Sequence, residues 1–165
     1  MDYLQFTITM PDDLHAHFRE EESTSVDDVL LKEVVPETAR MAARGLAMPN
    51  TKKAIETGHD IERYYYALLR AGGPGFQPLM TVKLTQQSRP ADVREWRNAG
   101  AVAVKLYPEG VTTNSQGGVT DIRKLEDTLH AIKEAGLVLC VHAETPGAFC
   151  LDREAHYCEG TVPYL

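Results

Sequence analysis

The sequence lacks most of what would mark a secreted, membrane-borne or nucleic-acid-binding protein. Among its 165 residues no apolar run approaches the roughly 20 needed to cross a bilayer. Met1-Asp2-Tyr3-Leu4-Gln5 has neither the basic start nor the apolar core of a signal peptide. A soluble, cytosolic protein without a membrane partner is expected. Cysteine is scarce: Cys140, Cys150 and Cys158 are odd in number and show no CxxC spacing, which excludes a disulfide framework and a zinc knuckle and leaves reduced, structural thiols. Basic residues are outnumbered, 17 Lys and Arg against 24 Asp and Glu for a net charge of -7, and no Lys/Arg cluster could follow a phosphate backbone, so no nucleic-acid partner is expected. Glycine patterns for dinucleotide or phosphate binding are also missing.

What is present is a regular alternation. With 43% hydrophobic residues the chain can bury a real core, and residues 1–165 read as a single domain. Leu4, Phe6 and Ile8 alternate with polar residues as a half-buried strand would, Pro11-Asp12-Asp13 marks a turn, and Leu14 to Arg19 opens the sheet proper. Helical spacing runs from Val26 to Arg44, with Pro36 expected to kink or restart the helix and Gly45 to stop it. Leu46 to Met48 reads as a short strand. Further units follow: a helix over Ile61–Ala71, a strand over Gln77–Leu84, a helix over Ala91–Ala99 and a strand over Val102–Leu106. After a loop rich in Gly, Thr and Asn come a helix from about Ile122 to Ala135 and a buried strand from Leu137 to His142.

Strands separated by helices imply parallel pairing with right-handed crossovers, the plan of a doubly wound sheet or a (β/α)₈ barrel. The missing phosphate glycines favour the barrel. A whole barrel takes about 250 residues, so the five strand-then-helix units counted here predict an incomplete α/β TIM barrel.

The chemistry-bearing residues fall at strand ends. His15 and His17 are two apart, so in a strand both rings project from one face and Leu14, Ala16 and Phe18 from the other, which suits two ligands on one metal. Arg19 follows, able to fork onto a carboxylate. By the same parity Ala101, Ala103 and Lys105 share the barrel-lining face while Val102, Val104 and Leu106 meet the helices. His142 ends the next strand, with Val138 and Cys140 on its face and Leu137, Leu139 and Val141 opposite. A lysine among histidines and metal ions can lose its proton, react with CO₂ and present two anionic oxygens to a metal pair. Each residue alone also has an ordinary reading, as an exposed histidine pair, a snorkelling lysine or a hydrogen-bonded histidine. HxH, then Lys, then His at three strand ends in barrel order favours metal. His59, His130 and His156 lie on or beside helices and read as surface or packing residues.

Pro11-Asp12-Asp13-Leu14-His15-Ala16-His17-Phe18-Arg19, Met48-Pro49-Asn50, Pro78-Leu79-Met80-Thr81 and Val104-Lys105-Leu106-Tyr107-Pro108 resemble the dihydroorotases of the short bacterial and plant type. Thr112-Thr113-Asn114-Ser115 and Gly118-Val119-Thr120-Asp121 set that family apart from hydantoinase-like and allantoinase-like relatives, and Val141-His142-Ala143-Glu144 and Asp152-Arg153-Glu154-Ala155 continue the likeness. The resemblance implies a zinc-dependent cyclic amidohydrolase of pyrimidine biosynthesis that interconverts dihydroorotate and N-carbamoyl-L-aspartate. It implies that His15 and His17 bind one zinc, that Lys105, carboxylated on its amine, bridges two and is catalytic, and that His142 binds the second. Arg19 and Asn50 would hold the substrate carboxylate, and a homodimer is compatible with the likeness.

The chain departs from the family pattern in places: Leu14 replaces a usual Trp, Glu20-Glu21 an Asp-Gly or Glu-Gly, and Lys52-Lys53 a Pro-Pro. The family's fourth histidine, on strand six, and its catalytic aspartate, on strand eight, have no counterpart up to Leu165, so a truncated barrel, three units short, is expected. Two other readings share the same residues. One is an inactive half-barrel acting through a partner; the other is a different cyclic amidohydrolase of the dihydropyrimidinase or hydantoinase kind.

Overall fold

The computed structural model describes residues 6–20 and 29–143. Five parallel strands, β1 (Asp12–Ala16), β2 (Arg44–Ala47), β3 (Gln77–Leu84), β4 (Ala101–Leu106) and β5 (Val138–Val141), lie side by side in chain order. Between them run α1 (Val29–Met41), α2 (Gly58–Gly72), α3 (Pro90–Asn98) and α4 (Glu126–Glu134), the last entered through a 3₁₀ turn at Ile122–Leu125. Strand, crossover helix and next parallel neighbour repeat throughout, the pattern of a partial (β/α) barrel. Among the described residues no helix is long and apolar enough to cross a membrane.

The helix boundaries follow local chemistry. Thr57 caps α2 by accepting the Asp60 N–H at 3.2 Å, and the Asp60 carboxylate accepts the Thr57 N–H at 3.1 Å, so two otherwise orphaned donors are satisfied reciprocally. Pro90 opens α3, where its fixed φ suits the first turn and its missing N–H is not needed. The helices bury Ile61, Tyr64, Leu68, Val93, Trp96 and Ile132 against the outward strand residues Met80, Val82, Leu84, Val104 and Leu106. Each such side chain contributes roughly 1.5–3 kcal/mol on burial. A smaller inner cluster gathers Leu46, Met48 and Ala103, with Leu79, Val102 and Cys140 packed on it.

Several expectations are corrected. The strand expected over residues 4–8 does not form where it is described: Phe6 and Ile8 are about four-fifths exposed, at 80% and 79%, with no ladder, while Leu4 and Gln5 lie outside the described residues. The first sheet strand is Asp12–Ala16, not 14–19, so His15 sits inside it and His17 just beyond its end. Pro36 lies within an unbroken α1, which gives up one backbone bond there without ending. That helix ends at Met41, and Arg44, expected to be helical, opens β2 and pairs with Asp12 across the sheet.

The parity expected along β4 holds for Ala103, Val104, Lys105 and Leu106 and fails at its start. The β3–β4 register slips between Met80 and Thr81, where Met80 pairs with Ala101 but Thr81 with Ala103. That irregularity turns Ala101 into the helix-side core and leaves Val102 against the inner cluster, the reverse of strict alternation. Along β5 the expected sides are found, Leu137, Leu139 and Val141 towards the helices and Cys140 inward.

Candidate active site

The C-terminal ends of β1, β4 and β5 converge on one mouth. At the end of β1 and just beyond it, Ala16 and Phe18 turn into the core, and His15 and His17 share the opposite side, with ring centroids 5.2 Å apart. Phe18 is held edge-on to Phe76 at 6.1 Å. Gly45 makes room for this pair, since a Cβ there would meet Phe76 at 2.8 Å and Phe18 at 3.0 Å. Directly after Arg19, Glu20 is buried and accepts a forked pair of bonds from Arg63 of α2, at 3.1 and 3.2 Å. The histidine strand is thus pinned on both sides.

Burial holds both imidazoles below the ordinary histidine range. For His15 the Lys105 charge adds to burial and Asp13 opposes it. For His17 burial comes first and the His15 charge second, while the Asn50 side chain pulls the other way. Both are therefore neutral near pH 7, the form that binds a metal.

Lys105 stands at the end of β4 in register with Cys140, and its side chain is 2% exposed. Its Nζ lies 5.4 Å from the centroid of the Tyr107 ring, and Cys140, His15 and His17 are near enough to feel its charge. Burial pushes its pKa down from the ordinary lysine value. His142 follows β5, with its N–H donated to the Leu106 carbonyl at 3.0 Å and its ring 6.1 Å from that of Tyr107. His15, His17, Lys105 and His142 therefore belong to one mouth. Among the described residues no three His, Cys, Asp or Glu side chains close into a metal-holding group.

Asn50, buried in the loop after β2, faces the loop that leads from β4 to α4. Its Nδ2 donates to the Thr113 carbonyl at 3.0 Å, and its own carbonyl accepts from Asn114 Nδ2 at 3.2 Å. Asn50 Oδ1 has no hydrogen-bond partner among the described residues. Asn114 holds a φ of 57°, a left-handed conformation that asparagine tolerates better than most residues. Gly118 closes the loop: a Cβ there would lie 2.6 Å from the Tyr107 carbonyl oxygen. His59 and His130 are exposed on helices as expected, and His156 lies outside the described residues.

Two neighbours escaped the sequence reading. Tyr107 is buried beside Lys105 with its hydroxyl unpartnered among the described residues, and burial pushes its phenol well up, outweighing the Arg19 charge. Lys83, 2% exposed at the end of β3 and in register with Lys105, donates to the Gln116 carbonyl and lies 3.4 Å from the Glu56 carboxylate. The parity rule used for β4, applied to Gln77–Leu84, would have found Lys83.

No protein-family profile matches the chain. It is 43% identical over 157 residues to a dihydroorotase of Acidovorax sp. (strain JS42), covering 93% of this chain and 43% of that protein. Among solved structures it resembles dihydroorotase from Campylobacter jejuni with a TM-score of 0.78 and 32% identity, covering 90% of this chain and 42% of the other. An L-hydantoinase (dihydropyrimidinase) from Arthrobacter aurescens shares the fold alone, with a TM-score of 0.61, 19% identity, and coverage of 82% and 29%. The chain spans less than half the length of the curated relatives it matches, 43% and 46% for two of them.

Proposed function

We propose, from the premise that this chain is related over nearly its whole length to the N-terminal portion of dihydroorotases, that it supplies that portion of a zinc-dependent dihydroorotase acting in the cytoplasm. The observation that carries the reading is the amine of Lys105, buried beside a pair of neutral imidazoles and unpaired among the described residues. An unpaired buried ammonium is costly. A neutral amine can attack CO₂, forming an N–C bond and releasing a proton, and the resulting carbamate is an anion that suits divalent cations.

The residues present fit zinc in that form. His15 and His17 would hold one ion, His142 would serve a second, and carboxylated Lys105 would join them. Bound zinc would polarise the ring carbonyl of dihydroorotate and lower the pKa of the attacking water. In the hydrolytic direction a water oxygen bonds to the ring carbonyl carbon, the ring C–N bond breaks, and a proton goes to the departing nitrogen. Arg19 would hold the substrate carboxylate with help from the Asn50 amide, whose other hydrogen is committed to Thr113. The proton-transferring aspartate and a further histidine implied by the resemblance have no counterpart up to Leu165.

The test is zinc content and dihydroorotate hydrolysis, measured on this chain and on the longest form of the protein carrying it, with Lys105→Ala as control. Lys105→Ala is expected to lose the bridged zinc and to lower turnover by about a hundredfold or more. Zinc content and turnover unaffected by that substitution would overturn the reading.

A further inference from the structure

Lys83 presents a different problem from Lys105. Its stem lies in the barrel-lining face and its ammonium is buried, yet it does not snorkel to water. It ends on two acceptors from two separate loops. One is the backbone carbonyl of Gln116, in the loop after β4. The other is the carboxylate of Glu56, in the loop after β2, which is fastened in turn by the Lys83 N–H to the Ile55 carbonyl at 2.8 Å and by Trp96 Nε1 to the Glu56 carbonyl at 3.0 Å. The same two loops meet a second time where Asn50 bonds Thr113 and Asn114. They are therefore strapped together at two points, and a side chain present only to fill space under them would need no charge.

We propose that Lys83 is a positioning residue for the substrate side of the site. By joining Gln116 to Glu56 it fixes the height of the 112–118 turn above the sheet, and so holds Asn50 in the orientation in which it meets a ligand. The inference rests on the dihydroorotase reading for its ligand, but the strap itself does not. His17 meets the strap through the Asn50 side chain and Lys105 is the register partner of Lys83, so zinc content is read beside KM to separate an effect on ligand binding from one on the metal-holding residues.

The experiment compares Lys83→Met, which keeps the stem and removes the charge, with Lys83→Arg, which keeps a donor. Both are assayed for zinc content, for kcat and KM towards dihydroorotate, and for amide hydrogen exchange. In the longest form of the protein carrying this chain, Lys83→Met is expected to raise KM about tenfold with kcat within about threefold, zinc unchanged, and Lys83→Arg to recover most of the difference. The amides of Ser115, Gly118 and Val119 are expected to exchange faster while those of β4 keep their rates. An unchanged KM, a loss of zinc, or faster exchange throughout the sheet would each overturn the proposal, the last because it would make Lys83 a purely structural residue. Should the unsubstituted protein fail to hydrolyse dihydroorotate, the dihydroorotase reading falls, and local exchange alone decides the strap. If Lys83→Met does not fold, Glu56→Gln, which changes only a half-exposed carboxylate, must give the same local exchange pattern with a smaller amplitude, and an unchanged pattern would overturn the strap.

Discussion

The ends of β3 and β4 carry the same residue in the same place and treat it in opposite ways. Lys83 and Lys105 are register partners, both 2% exposed and both on the inner face. Lys83 is matched by a carbonyl and a carboxylate, whereas Lys105 faces imidazoles and an aromatic ring. Burial depth is therefore a poor guide to role here. On the function proposed above, the matched charge serves the scaffold and the unmatched one the reaction.

The comparison can be broken or sharpened by removing charges in turn. The largest expected effect is at a third buried charge, Glu20, whose side chain is 0% exposed against Arg63 at 12%. Glu20→Ala strands the guanidinium and should cost about 3–5 kcal/mol, seen as a lower midpoint in urea. Lys83→Met should cost less, about 1.5–3 kcal/mol, the worth of hydrogen bonds with a charged partner. Glu56 keeps access to water, and a thermal melt would register the loss. Smaller again is the acid response of Asp60. Burial pushes its carboxyl up, but Lys53 and Thr57 more than offset this and hold it below the ordinary 3.8. With the folded value depressed, its contribution is complete above the unfolded value and is lost as pH falls through the folded one. Asp60→Asn should flatten the stability profile below about pH 4, and a slope that persists there would assign it to other carboxylates. The smallest effect is expected at Lys105→Met in the metal-free chain, within about 1 kcal/mol of zero or slightly stabilising, because no partner is stranded. A loss there as large as that of Lys83→Met would erase the distinction between the two strand ends.

Much of this site was legible because strand parity is a local property. His15, His17, Lys105 and His142 could be placed on one side from their spacing alone, since a period of two needs no knowledge of neighbours. Lys83 obeys the same rule, but its meaning depends on Gln116 and Glu56, which are 33 and 27 residues away and arrive only with the fold. The misplaced pair at Ala101 and Val102 has a related cause, because the slip against Met80 and Thr81 belongs to the pairing of two strands and leaves no trace in either one. Phe6 and Ile8 alternate like a strand without any partner strand among the described residues. Alternation gives the capacity for a half-buried strand, and a neighbouring ladder is needed to realise it.

The strand order β1-β2-β3-β4-β5 also bears on time. Every strand hydrogen-bonds the one made just before it, so each closing loop is a single helix crossover of 16 to 31 residues, and no strand waits for a distant segment before it can dock. Loop closure costs grow slowly with length, and chains fold as they leave the ribosome at about 5–20 residues per second. A new strand and helix of this sheet thus emerge every few seconds onto a template already in place. The described sheet can be laid down in the order of translation, and His15, Lys105 and His142 come together only when β5 arrives.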